Sequence, residues 1–114
     1  MNSVILIGDD RLLLSSLEKI SFKNCIGMNR INNSLALEFI EGRVYFDYNE
    51  DISKDYELYE IECIPINNPK FISLTYSSKS VLKKVLLQIN RFDNLIIDDD
   101  MGNIVSYNEY ISQI

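Results

Sequence analysis

The carboxylates are the side chains whose types and spacing could do chemistry in this chain. Asp98, Asp100 and Glu109 have the spacing of the first, third and twelfth positions of a calcium-binding EF-hand loop. The match then fails, because Gly102 and Asn103 stand where that loop needs an acid or amide and its obligatory glycine. A polar turn after a strand explains the same residues, so we expect neither a metal site nor a cofactor.

Nucleophilic catalysis finds little support among the residue types. The chain has no histidine, which excludes serine or cysteine catalysis by the usual histidine base. Its two cysteines, Cys25 and Cys63, lie far apart and in no motif, and we expect reduced, mostly buried thiols. A zinc site would need more soft ligands than these. Without a complete catalytic motif, the sequence predicts that the protein is not an enzyme.

Charge is concentrated in one stretch, residues 44–69. Its seven acids face a single base, Lys54, so the stretch carries a charge of −6, the formal net charge of the whole chain. The acids are Asp47, Glu50, Asp51, Asp55, Glu57, Glu60 and Glu62, and four of the seven tyrosines, Tyr45, Tyr48, Tyr56 and Tyr59, lie among them. This stretch is either a solvated outer face or a surface that attracts a positively charged partner and contacts it through tyrosine.

Composition narrows the class of protein. The 114 residues fit one domain, spanning 1–114, and the hydrophobic content of 46% is enough for a core. A pI near 4.5 argues against direct nucleic-acid binding, which needs clustered Lys and Arg. The apolar run Val4–Ile7 is too short for a signal peptide or a membrane span, so we expect a cytoplasmic protein without membrane contact.

Hydrophobic periodicity then supplies the elements that must position these residues. Apolar runs predict strands over Ser3–Ile7, Phe71–Tyr76 and Leu95–Ile97, and helical spacing predicts a helix over Ser77–Asn90. A first helix is predicted over Arg11–Ile20, capped by Asp9 or Asp10, and its buried face consists of Leu13, Leu14, Leu17 and Ile20. Loops around a short extended piece are predicted over Ser21–Asn33, and a further loop is framed by Pro65 and Pro69. A short strand at Ile104–Val105 and a last helix begun by Ser106 and Glu109 complete the predictions. This mixture predicts an α+β or α/β fold with a mixed, largely antiparallel sheet of about five strands and two to three packed helices.

Two further strands form the predicted hairpin Leu35–Tyr48, which turns at Glu41-Gly42. Pairing across that turn predicts the core-facing pairs Phe39 with Val44, Leu37 with Phe46 and Leu35 with Tyr48, and the outer pairs Ala36 with Asp47, Glu38 with Tyr45 and Ile40 with Arg43. A short helix over Ser34–Glu41 is the alternative. One more strand is predicted over Tyr56–Ile64, with Glu60 and Glu62 together on its solvent face.

The N-terminal segment Val4–Asp10 resembles the start of a response-regulator receiver domain. Asp9 and Asp10 follow an apolar strand as that family's magnesium-binding acids do, and Asp47 and Thr75 could stand for the phosphoacceptor and the hydroxyl residue. The resemblance breaks after Leu95-Ile96-Ile97, where three acids replace the lysine that would neutralise an acyl phosphate. A degenerate, receiver-like regulatory domain is therefore the alternative function.

The last forty residues resemble the tail of small bacterial immunity proteins, which protect their producers from polymorphic toxins, including those of contact-dependent growth inhibition. The resemblance lies in a strand at 71–76, a helix from Val81, the segment Leu95-Ile96-Ile97-Asp98 with Gly102, and Glu109-Tyr110-Ile111. It implies a cytoplasmic antitoxin that binds a cognate toxin domain, often a basic nuclease, and blocks its active site. Our prediction for the partner-binding residues is Tyr48, Asp51, Asp55, Tyr56, Tyr59, Glu60 and Glu62.

Overall fold

The alternating apolar runs pair into one open sheet in the computed structural model, which describes residues 2–92 and 94–114. Within those residues, seven strands occur in the order β2-β3-β4-β5-β1-β6-β7, and every neighbouring pair is antiparallel. The strands are β1 Asn2–Gly8, β2 Cys25–Ile31, β3 Ser34–Phe39, β4 Gly42–Asp47, β5 Lys70–Tyr76, β6 Ile96–Asp98 and β7 Ile104–Ser106. The general α+β class is confirmed, but the expected five strands were too few and no described pair is parallel.

Helices cover the two faces of this sheet unequally. The described helices are α1 Leu14–Glu18, α2 Leu58–Glu62, α3 Lys79–Gln88 and α4 Tyr107–Gln113, and a 3-10 turn spans Ile52–Asp55. The main core lies between one sheet face and α1, α3 and α4, and Leu6, Phe46 and Leu82 are among its fully buried residues. The helix predicted over Ser77–Asn90 is confirmed as α3, which begins after Ser78, whose side chain accepts a hydrogen bond from Val81 N.

A smaller cluster lies on the opposite face. Ile7, Ile64, Phe71 and Ile96 are buried there, and Ile52 of the 3-10 turn, Tyr56 and Ile66 pack against them. The acidic stretch therefore folds across β5, β1 and β6 and buries their second face. The same face of β2, β3 and β4 stays open, as a groove of about 500 Å³ bordered by Gly27 and Tyr45.

The hairpin of β3 and β4 has the predicted faces but a different register. Leu37 pairs with Val44 and Leu35 with Phe46, so the turn residues are Ile40-Glu41 and not Glu41-Gly42. The outer pairs change with them, to Ser34 with Asp47, Ala36 with Tyr45 and Glu38 with Arg43, while Tyr48 falls beyond β4 and is exposed. Because the shift is by two residues, the core-facing set is otherwise preserved.

Close packing beside the turn explains the new register. Gly42 now pairs with Phe39 and has φ +157°, and a Cβ at this position would overlap Ser77 Oγ. Ser77 Oγ accepts a hydrogen bond from Arg43 N at 2.9 Å. Only glycine leaves room for this contact between the hairpin and the start of α3.

The strand predicted over Tyr56–Ile64 is wrong, because this segment forms the helix α2. Glu60 Oε1 accepts a hydrogen bond from Glu57 N at 2.9 Å, which closes the first turn. On a helix, residues two positions apart point in nearly opposite directions. Glu60 and Glu62 therefore do not share the solvent face on which they were expected.

Near the N-terminus the predicted helix over Arg11–Ile20 shrinks to α1. Asp9 does not cap it: its carboxylate accepts from Arg11 N at 2.9 Å and pairs with the Arg11 guanidinium at 2.7 Å. These contacts stabilise a turn in which Leu12 is buried. The N-cap position of α1 is therefore Leu13, which is exposed and makes no side-chain hydrogen bond to the helix. Hydrogen bonding from Arg11 lowers the pKa of the Asp9 carboxyl.

Two other predictions for the first third need correction. Ser21–Asn33 contains the seven-residue edge strand β2 and not merely loops around a short piece. Its apolar residues Ile26, Met28 and Ile31 are exposed, so the stretch lacks the pattern of a core strand. The thiols are not mostly buried either: both cysteines are free, Cys25 is half-buried and Cys63 is exposed.

Candidate partner-binding surface

Tyr56 fastens the acidic stretch to the sheet. Its ring packs on Phe71 with ring centroids 5.1 Å apart, and its hydroxyl donates to Asp98 Oδ2 at 2.6 Å. Partial burial, and then the neighbouring Asp98 carboxylate, raise the pKa of the Tyr56 phenol well above its ordinary value. Tyr56 therefore supports the surface from beneath, and only part of its side chain remains for a partner.

Helix α2 presents apolar side chains to solvent beside its acids. Leu58 is 71% and Tyr59 68% exposed, and the N-cap residue Glu57 and the last helical residue Glu62 are exposed too. A large aromatic and a leucine left in solvent next to acids are the kind of mixed surface that protein interfaces use. Sequence reasoning missed Leu58; the spacing of Glu57 and Glu60, as a capping pair, could have revealed the helix that exposes it.

An apolar groove of about 640 Å³ runs between α2 and the β6–β7 hairpin. Tyr59, Ile64 and Pro65 line one side, and Ile96 and Ile104 line the other. Glu60 and the exposed thiol of Cys63 also reach it. The groove joins residues about forty positions apart in sequence, so no local pattern predicted it.

The other predicted partner-binding residues lie around this surface. Asp51, whose carboxylate pairs with Lys54 at 2.7 Å, and Asp55 are exposed in and beside the 3-10 turn. Tyr48 is 40% exposed and lines a separate depression with Leu13 at the far end of β4. The structure therefore gathers Tyr59, Glu60 and Glu62 on α2 and keeps Asp51 and Asp55 in and beside the preceding turn. Tyr48 lies outside the α2 groove but also lines a depression with Ser53 of the 3-10 turn.

The triple aspartate forms a hydrogen-bonded turn between β6 and β7. Asp99 accepts from Met101 N at 2.8 Å and from Asn103 Nδ2 at 3.0 Å, while Asp98 Oδ1 accepts from Asp100 N at 2.9 Å. Burial alone would raise the pKa of Asp99, but these donated bonds outweigh it and lower the pKa. No group of three metal-ligating side chains occurs within residues 2–92 and 94–114.

The receiver-like residues do not converge. Asp47 pairs with Ser73 on β5, whereas Asp9 follows Gly8, which pairs with Lys70. Three strand positions separate Lys70 from Ser73, a distance of about 10 Å along the sheet. The strands are also antiparallel here, whereas receivers have a parallel, doubly wound sheet.

Comparison with known proteins returns no family model, no curated protein and no solved structure that matches this chain. In the described part of the chain, no helix combines the length and the apolar character needed to cross a bilayer.

Proposed function

We propose that the protein is an immunity-type binding protein, which docks its acidic surface on a basic toxin domain and keeps substrate out of the active site. By acidic surface we mean the exposed side chains of the 3-10 turn and α2, residues 51–62. The observation that carries the proposal is the exposure of Leu58 and Tyr59 among Asp55, Glu57 and Glu62. A nuclease cleft is basic because it holds phosphates, so an acidic surface with apolar contacts complements it.

The charges and the apolar residues have separate tasks in this proposal. Exposed acids raise the association rate by attracting a basic partner over a distance, and salt screens that attraction. Leu58 and Tyr59 exclude water once the complex has formed and so slow its dissociation. Glu60 has a structural task instead, because its carboxylate accepts a hydrogen bond from Glu57 N and so stabilises the first turn of α2.

The decisive experiment compares two double charge reversals with the same change in net charge. In the first, Asp55→Lys and Glu62→Lys alter the acidic surface; in the control, Asp10→Lys and Glu38→Lys alter exposed acids outside the acidic stretch. The Glu38–Arg43 pair, 3.5 Å apart and exposed, contributes little to stability. Glu60 stays unchanged in both proteins so that α2 keeps its first turn.

The probe is the C-terminal domain of a large secreted protein encoded upstream of this chain's gene, the arrangement implied by the immunity resemblance. We expect the Asp55 and Glu62 reversal to slow association with that domain by about tenfold at low salt, with a smaller effect at high salt. The control should associate like wild type, and thermal melts should show both variants folded. Equal rates for all three proteins would identify the acidic surface as a solvated face only.

A further inference from the structure

Strand β7 is the outermost strand on the side of the sheet that carries the acidic surface. Tyr107 N donates to Leu95 O at 3.0 Å and Asp99 N donates to Asn103 O at 3.1 Å. Hydrogen-bonded pairs alternate in an antiparallel ladder, so these bonds make Ile97 and Val105 such a pair. The N–H and C=O groups of Ile104 therefore point away from β6, toward the open edge.

The apolar groove lies directly beside this edge. Ile104 belongs to both, since its backbone forms the edge and its side chain lines the groove opposite Tyr59 and Ile64. Successive residues of a strand point to opposite faces. An added strand would thus aim every second side chain at the groove face while its backbone pairs with Ile104.

Charge identifies what kind of strand fits. None of the described residues that line the groove is basic, and Glu60 contributes a carboxylate. Glu57 precedes and Glu62 ends the adjoining helix α2, and the turn with Asp98, Asp99 and Asp100 adjoins the groove at Gly102. Basic side chains at the ends of an apolar strand would complement this rim.

The opposite edge offers a poorer fit to such a strand. β2 is longer, but a bulge between Cys25 and Gly27 interrupts its register. Its only charged side chain is Arg30, which pairs with Glu18 at 3.2 Å. A basic segment gains no attraction there.

We infer that the β7 edge and its groove bind an extended segment of the partner as an added strand, with Val- or Ile-like side chains in the groove and Lys or Arg at its ends. This inference rests on the proposed function and assigns the partner the chemistry of its contacting segment. Main-chain hydrogen bonds give such additions their affinity, and the pockets for alternate side chains give them specificity.

A synthetic peptide tests the inference without any toxin. The probe is Lys-Thr-Val-Thr-Val-Thr-Lys with blocked ends, which puts both Val and both Lys on one face, and its counterpart carries Glu in place of both Lys. Titration up to about 1 mM peptide, followed by the amide resonances of the labelled protein, detects even weak binding. We expect shifts at residues 104–106 and in α2, and at least about tenfold weaker binding of the Glu peptide. Absence of shifts, or shifts confined to β2, would overturn the inference.

Two variants examine the edge and the groove separately. Ile104→Pro removes an outward N–H and no bond to β6, but it also removes a side chain that lines the groove, so Ile104→Ala is its matched control. The hairpin should survive in both variants, and peptide affinity should be at least about tenfold lower in Ile104→Pro than in Ile104→Ala. Tyr59→Ala should also weaken binding, whereas Tyr48→Ala, in a separate depression, should not. Equal affinity of Ile104→Pro and Ile104→Ala would contradict strand addition.

If Ile104→Pro does not fold, N-methylation of the peptide tests the backbone pairing instead. N-methylation of the peptide amides that face β7 should abolish binding, and methylation of the alternate amides should leave it. Binding of both methylated peptides would overturn the inference. With the toxin domain, slowed association of the Asp55 and Glu62 reversal but normal binding of Ile104→Pro would sink strand addition alone. Normal behaviour of both would sink the proposed function too.

Discussion

The Tyr56 hydroxyl and the Asp98 carboxylate share a hydrogen bond of 2.6 Å across 42 positions of sequence. This bond ties the acidic stretch, just before α2, to β6, and the contact of the Tyr56 ring with Phe71 adds a second contact with the sheet. Asp98 is held in turn by Asp100 N. The Tyr56 side chain therefore connects the acidic surface with the β6–β7 hairpin, and these two form the sides of the groove.

Removal of the Tyr56 hydroxyl should destabilise the packing of the acidic stretch on the sheet. We expect Tyr56→Phe to lower the free energy of unfolding by about 1–2 kcal/mol, since a hydrogen bond to a charged group is lost while the ring contact remains. Urea unfolding at neutral pH measures the change. Tyr59→Phe is the matched control, because Tyr59 is exposed and should be neutral. Equal stability of both variants would show that water replaces the bond at no cost.

The two faces of the β3–β4 hairpin give a second prediction. Phe46 is fully buried opposite Leu35, so Phe46→Ala should cost about 3–5 kcal/mol of unfolding free energy. Tyr45→Ala should cost far less unfolding free energy, because Tyr45 is half-buried on the open face. Denaturant unfolding of both variants provides the comparison. A loss of similar size in Tyr45→Ala would mean that the open face of β2–β4 is covered in solution.

Elements with a long, clean period were predictable from sequence. β1, β5 and α3 follow continuous apolar or helical patterns because tertiary burial and local pattern agree there. The prediction of a strand over α2 was wrong for a physical reason. Five residues are little more than one helical turn, and the alternation of Tyr59 and Ile61 fits a strand equally well. Its first turn is stabilised by the Glu57–Glu60 bond, and the flanking residues Tyr56 and Ile64 pack in the cluster around Ile7; neither contact changes the period.

The candidate site divides in the same way. Its charge could be read from composition, because carboxylates such as Asp55 and Glu62 remain in solvent wherever the chain goes. The groove could not, since it exists only when Ile64 and Ile104 are brought together by the fold. The hairpin register was also beyond local reasoning, because the contact between Gly42 and Ser77 spans 35 positions.

The turn between β6 and β7 should form without metal. Asp98 and Asp99 already accept hydrogen bonds from Tyr56, Met101 and Asn103, which satisfy their carboxylates. Thermal melts in chelator and in millimolar calcium or magnesium should therefore superpose, because only a ligand that binds the folded state raises the midpoint. Asp99→Ala should lower the midpoint equally in both. A rise of several degrees with calcium would restore Asp98, Asp100 and Glu109 as ligands.

Alkaline pH should destabilise the fold through its buried tyrosines. Burial raises the pKa of Tyr110 to about 12, and burial also raises the pKa values of Tyr76 and Tyr107. A group whose pKa is higher in the folded state holds its proton more tightly there. Its contribution is therefore complete below the unfolded pKa near 10 and is lost as pH rises toward 12.

The measurement is urea unfolding between pH 9 and pH 12, with tyrosinate absorbance recorded in parallel. Wild type should lose stability steadily above pH 10, in step with the unfolded chain releasing protons that the fold retains. Tyr110→Phe should flatten this slope, because one of the responsible phenols is gone, although the lost contact with Tyr76 also lowers stability at neutral pH. Tyr59→Phe serves as the exposed control and should keep the wild-type slope. A Tyr110→Phe curve parallel to wild type would show that other groups set the alkaline limit.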